Sequence, residues 1–220
     1  MKLNRILCLV LTAVMSVFFC GCNESDIPDD MVLQLNDLNL FVSDQCTYTK
    51  VGREYKDFAE TCFEDIEIFG AKLCLPMNVS DLPDKFTYIE DNDPHQVYNG
   101  FYLAETALYF DGVKAADALI LYPTDKKQSE GQIVALYFMA YLIHPHASFK
   151  IGGEYGYMTM ERAFELLGEG EIMESYMQYM VYDIGNNRVI TLAYLSDMEG
   201  AEFDSDANIV GLNTLGYMYI

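Results

Sequence analysis

The chain has 220 residues, with 13 Lys+Arg against 34 Asp+Glu and a formal net charge of −21. So few cations argue against nucleic-acid binding, which draws its affinity from phosphate neutralisation, and against a basic face held on anionic lipid. A hydrophobic fraction of 51% and 17 Tyr are too apolar for a disordered acidic chain, so a globular body with a real core is expected.

The N-terminus reads as a targeting device. Lys2 and Arg5 precede an apolar run from Ile6 to Phe19, interrupted only by Thr12 and Ser16. That run has the length of a signal-peptide core and falls short of the roughly 20 residues a spanning helix needs. It ends in Phe19-Cys20-Gly21-Cys22, followed by the polar Asn23-Glu24-Ser25-Asp26. This junction resembles a bacterial lipoprotein signal, in which a small residue precedes the lipidated Cys. Gly21 and Cys22 match the two tightest positions, and bulky Phe19 before Cys20 makes Cys22 the preferred residue. The resemblance implies cleavage after residue 21, lipid on Cys22 and attachment to the outer face of the bacterial cell membrane. Acyl chains on one Cys supply about 0.8 kcal/mol per buried methylene without a spanning helix. Loss of Lys2 and Arg5 leaves 11 cations against 34 acids, or −23.

Residues 22–31 are polar, acidic and contain Pro28, and they read as a tether. The body begins near Val32, where Val32-Leu33-Gln34-Leu35 starts to alternate. Strand signals follow at 64–69, 72–76 and 86–89, with a turn or single helical turn at Ser80-Asp81-Leu82. Residues 100–110 form an aromatic, apolar strand ending in the turn Asp111-Gly112, and 118–122 form another. Ile133 to Ile143 fits a long central strand. Thr159 caps a predicted helix in which Met160, Ala163, Phe164 and Leu167 form one apolar stripe, with Gly168 as its stop. Strands at 176–182, 189–195 and 209–219 follow, the first two joined by Gly185-Asn186-Asn187.

The pattern predicts an α+β fold of mainly antiparallel sheet with few helices. It also suggests two related sheet units, 32–145 and 146–220. Each runs from a strand through a helix or helical turn into a meander. The stretch Thr159-Met160-Glu161-Arg162-Ala163-Phe164-Glu165-Leu166-Leu167-Gly168 resembles a "T-x-E-x-x-x-x-L-G" motif. That organisation is similar to tandem-repeat lipoproteins of low-GC Gram-positive bacteria. It also resembles the repeat of β-lactamase-inhibitory proteins and small outer-membrane assembly lipoproteins. The resemblance implies a binding or assembly role and carries over no catalytic residue.

Candidate chemistry is sparse. His144-Pro145-His146 places two imidazoles for a metal, with Glu154 the nearest downstream acid, or is a solvated loop. His95 reads as part of a turn. Asp204, Asp206 and Asn208 match positions one, three and five of a calcium loop, but Ile209 stands where Gly is needed and Leu215 where Glu belongs. An exposed acidic loop is the simpler reading, as it is for Glu90-Asp91-Asn92-Asp93. No nucleophile elbow or phosphate loop is present, so the expectation is a protein that is not an enzyme, with no catalytic, cofactor or metal residue. Cys46, Cys62 and Cys74 allow at most one disulfide, Cys46–Cys62 or Cys62–Cys74, and otherwise act as small buried hydrophobes. The best binding candidate is the strand 176–182. There Tyr176, Gln178, Met180 and Tyr182 face one way and Met177, Tyr179 and Val181 the other. One face must be core; the other is either exposed to a partner or packed as well, two-sided packing being the simpler reading. The functional expectation is a lipid-anchored cell-surface protein with a non-enzymatic binding or protein-interaction role. The alternative is sequestration of a divalent cation or small ligand by acidic loops. The expected partners are the membrane, through Cys22 lipid alone, and an unidentified protein or ligand, without nucleic acid.

Overall fold

Two tight turns set the architecture. Asp111 and Gly112 both have positive φ (48° and 82°), as do Asn186 and Asn187 (53° and 59°). Two consecutive residues of this kind make the turn whose twist matches a β-hairpin. Each turn therefore folds two long strands back on one another. The computed structural model describes residues 47–97, 100–140, 149–174, 177–195 and 206–215.

In chain order the early elements are β1 (Thr49–Lys50), α1 (Lys56–Glu64), β2 (Ile66–Ile68), β3 (Ala71–Leu73), β4 (Met77–Asn78), β5 (Phe86–Tyr88) and β6 (His95–Val97). The first meander is β7 (Phe101–Phe110), β8 (Val113–Pro123) and β9 (Gln132–Met139). Then come β10 (Phe149–Ile151), β11 (Glu154–Tyr155), α2 (Met160–Leu167) and β12 (Met173–Glu174). The second meander is β13 (Met177–Gly185), β14 (Arg188–Leu195) and β15 (Ile209–Asn213).

The large sheet runs β1-β13-β14-β15-β9-β8-β7-β5, with β12 on β13, β4 on β9 and β6 on β7. The two meanders thus meet at their last strands, with Ile209 opposite Met139 and Asn213 opposite Ala135. A small sheet runs β11-β10-β2-β3 and joins the two stretches again, Phe149 opposite Ile68 and Ile151 opposite Ile66. Every described pair is antiparallel except β1 with β13. The chain is therefore sheet-rich α+β and mainly antiparallel, as its alternation predicts.

Both helices and the small sheet pack on one face of the large sheet. α1 buries Ala59, Cys62 and Phe63, and α2 buries Ala163 and Leu167. They share a core with Met180, Tyr182, Ile190, Leu192, Tyr194, Leu136 and Phe138. Phe138 of the large sheet stacks on Phe149 of the small one, with ring centroids 3.8 Å apart. Such a buried aromatic pair contributes about 0.5–1.5 kcal/mol beyond its area burial. Gly156 lets this ring in: a Cβ there would lie 2.1 Å from Phe149 Cε1.

α2 forms where the sequence predicts. Thr159 Oγ1 accepts the Arg162 N–H at 3.1 Å, and Gly168 ends the helix at φ 88°. Two sheet tyrosines pin the segments flanking it. Tyr182 donates to the Gly168 carbonyl at 3.1 Å and Tyr194 to the Met158 carbonyl at 3.2 Å. α1 has no counterpart in the sequence reading. Its N-cap is Tyr55, which makes no side-chain cap bond, so the helix owes its existence to the buried face of Ala59, Cys62 and Phe63.

Burial pushes the phenol pKa of Tyr157, Tyr182 and Tyr194 up. A raised folded-state pKa means that the neutral phenol is favoured in the fold. Its contribution is complete below the unfolded value of about 10 and is lost as pH climbs above it. The urea midpoint is therefore expected to fall above about pH 10, and absorbance at 295 nm should show these phenolates appearing with unfolding. Thr159→Ala should lower stability by about 1 kcal/mol in the same urea assay. Gly156→Ala should cost more, about 1–3 kcal/mol, because Phe149 must leave its place.

Candidate functional site

β7 is longer than the strands that flank it. On its outer edge β5 covers residues 108–110 and β6 covers residues 101–103. Between them, among the described residues, no strand lies beside the edge of β7 at Glu105 and Thr106. The segment after β5 fills the gap with side-chain chemistry. The Asp91 carboxylate accepts the Glu105 N–H at 3.3 Å and the Asp93 N–H at 2.9 Å. The Thr106 hydroxyl donates to the Ile89 carbonyl. Satisfying an exposed sheet edge in this way also blocks edge-to-edge pairing.

The same loop is clamped from the other side. The Asp91 N–H donates to Gln128 Oε1 at 3.0 Å, and Gln128 sits in a short 3-10 turn, Gln128–Glu130, between β8 and β9. Because its oxygen must face that N–H, the Gln128 amide has one orientation. Its nitrogen is then a buried donor with no partner among the described residues, in a residue only 5% exposed. An unmet buried donor costs about 1–3 kcal/mol, so this nitrogen calls for an oxygen acceptor, from water or from a ligand.

Two tyrosines complete the corner. Tyr102 and Tyr122 lie with ring centroids 5.6 Å apart. Burial raises the Tyr122 pKa, and the Asp91, Tyr102 and Glu90 charges add to it. Tyr88 is raised by burial and then by Glu90. The carboxylates of the loop therefore share a neighbourhood with these phenols. Eight of the 11 cations beyond residue 21 are held in ion pairs elsewhere, with Glu60, Asp65, Glu67, Asp111, Asp117, Glu130, Glu154 and Glu165. Among the described residues no ion pair involves Glu90, Asp91 or Asp93. Ile89, 62% exposed, stands beside them. The result is a fixed, uncompensated negative corner with one apolar side chain at its rim.

The sequence-predicted sites fare differently. Cys22, Cys46, His144, His146 and Asp204 lie outside the described residues. Asp206 forms a backbone bridge with Thr159. Asn208 is 6% exposed, and its side-chain N–H donates to the Asp206 carbonyl, so its amide serves the turn. Glu154 accepts from Arg162 at 2.7 Å, which sets a cation against it where a third metal ligand was considered. His95 is a strand residue of β6, not part of a turn. Among the described residues no group of three His, Cys, Asp or Glu is placed to hold a metal ion. Cys62 and Cys74 are buried and neither is joined in a disulfide, so the Cys46–Cys62 and Cys62–Cys74 bridges are not formed. Burial pushes the Cys62 thiol pKa up, which makes it a packing residue.

The Tyr/Met strand follows the two-sided packing reading rather than the open-face one. Met180 and Tyr182 are fully buried on the helix side, and Val181 on the opposite side is 2% exposed. Tyr179 and Gln178 are half-buried. β13 lies inside the sheet and is buried on both faces at residues 180–182, while Tyr176 and the Met177 side chain lie outside the described residues. The Asp91 clamp was missed because nothing in Lys127-Gln128-Ser129 marks the glutamine as buried.

No protein-family model, curated protein or solved structure matches the chain. No helix among the described residues is long and apolar enough to cross a membrane.

Asp91→Ala should free the Glu105 amide and release the loop from Gln128. Hydrogen exchange at Glu105 should accelerate at least tenfold, with a stability loss of about 1–2 kcal/mol.

Proposed function

We propose that this is an exported, non-enzymatic binding protein, anchored by lipid on Cys22 at the outer face of a bacterial membrane. The observation that carries the binding role is the negative corner of Glu90, Asp91 and Asp93. It is clamped to the sheet, uncompensated by cations, and bordered by exposed Ile89 and the unmet Gln128 amide donor. Its chemistry suits a partner protein that brings Lys or Arg together with an apolar side chain. Fixed charge of this kind steers association and sets specificity. The lipid remains the sole expected contact with the membrane, since a −23 body is repelled from anionic headgroups.

The body is read as two related units. Support comes from the two antiparallel seams, β9 with β15 and β2 with β10, in which equivalent strands of the two stretches pair. Antiparallel pairing of equivalent strands is what an approximate two-fold axis between repeats produces.

Two measurements test this reading. Cys22→Ala should abolish acyl labelling and move the protein out of the membrane fraction; retained labelling would refute the anchor. The soluble 23–220 fragment should capture a surface partner at low salt, with at least tenfold weaker binding for Glu90→Gln/Asp93→Asn. Undiminished capture by that variant removes the corner from the reading. A thermal shift with millimolar Ca²⁺ or Zn²⁺ that EDTA reverses would favour cation sequestration instead.

A further inference from the structure

The loop 89–94 is an insertion in an edge strand. Tyr88 of β5 pairs with Leu108, and His95 of β6 pairs with Leu103. Seven steps along this edge, 88 to 95, face five along β7, 103 to 108, so the edge carries two extra residues. Extra residues of this kind interrupt a ladder and re-aim the side chains around them. Among the described residues, no backbone-to-backbone hydrogen bond ties 89–94 to the sheet. Its ties all use a side chain. The Glu105 N–H meets the Asp91 carboxylate, the Asp91 N–H meets Gln128, and the Thr106 hydroxyl meets the Ile89 carbonyl. Segments held by so few bonds open locally, well below the cost of global unfolding.

Closure of the loop works against two forces. Glu90, Asp91 and Asp93 fall within four residues, and exposed Glu105 stands beside Asp91. Among the described residues none of the four makes an ion pair. On the adjoining turn, Lys126 pairs with Glu130 at 3.4 Å and Lys127 with no described acid. Like charges held this close repel. The second force is the Gln128 amide. Its oxygen takes the Asp91 N–H, which leaves its nitrogen buried and without a partner among the described residues. A buried donor left unmet is costly.

We propose that the loop is a latch set by charge, and that binding at the corner and closure of the loop are one event. The conformation described above is the closed one. In a minor open state the acids move apart and water reaches the Gln128 nitrogen. Positive charge brought to Glu90 and Asp93 removes the repulsion and shifts the loop toward the closed form. The coupling to a partner rests on the corner's being the binding site, whereas the latch is a property of the chain alone.

Hydrogen exchange on the full chain, with no partner present, tests the latch. At low salt the Asp91 and Glu105 amides should exchange at least roughly tenfold faster than the amides of β8. Raising NaCl from about 0.01 M to about 1 M shortens the screening length from about 30 Å to about 3 Å. Both amides should then slow about three- to tenfold relative to β8. Glu90→Gln/Asp93→Asn should slow them as much at low salt and remove the response to added salt. Unchanged or faster exchange in either experiment would overturn the latch. A long-lived water on the Gln128 nitrogen, seen by NMR cross-relaxation, would overturn it too, because closure would then leave no donor unmet. Partner capture is read separately. Salt-dependent exchange without capture removes the corner as a binding site, and capture without salt-dependent exchange removes the latch.

Discussion

The structure depends on one backbone seam. β15 inserts between β14 and β9, with hydrogen-bonded partners on both sides. It turns two three-stranded meanders into a single sheet and gives the helices one continuous floor. The seam is tight at its middle, where Gly211 leaves room for the Tyr137 ring and Asn213 donates to the Tyr137 hydroxyl at 3.3 Å. Above it, Phe138 on β9 reaches Phe149 on β10, so the small sheet is fixed by the same strand that makes the seam. Without β15, β9 and β14 would each present a long apolar edge to water.

Elements with local chemical punctuation were legible in the sequence. The Asp111-Gly112 and Asn186-Asn187 turns, the Thr159 cap and the Gly168 stop each encode a backbone geometry in a residue type. Elements fixed by tertiary burial were not. α1 lacks a capping side chain and shows only a short apolar stripe. β13 illustrates the same limit from the other side. Alternation tells which residues share a face, yet a strand inside a sheet is apolar on both faces, so composition cannot say which is open. The candidate site was half legible. Glu90-Asp91-Asn92-Asp93 stood out as acidic, while its clamp depends on a glutamine 35 residues beyond Asp93, brought there by the β8–β9 connection.

The acidity of the chain also takes on structure. Acids are spread evenly, 17 in residues 22–100 and 17 in residues 101–220. Most cations are spent in pairs such as Lys72–Asp65 at 2.7 Å and Lys114–Asp117 at 2.6 Å. Exposed pairs contribute about 0–1 kcal/mol each, so their main effect is to decide where negative charge remains. The 90–93 loop is one of the places where it remains, and screening over about 8 Å confines its influence to what approaches that corner.

The central position of β15 has a consequence for how the molecule is made. Synthesis delivers residues in order, and β15 is the last strand of the described chain although it lies at the middle of the sheet. Its partner β9 was made some 70 residues earlier. Both meanders can form as local hairpins, but neither has its final neighbour until residues 209–213 emerge. Non-local pairing of this sort slows folding. The half-built chain thus carries two sticky borders for as long as its final strand is missing. A premature stop anywhere before Ile209 would leave both borders open, making them the natural handle for chaperone capture or degradation.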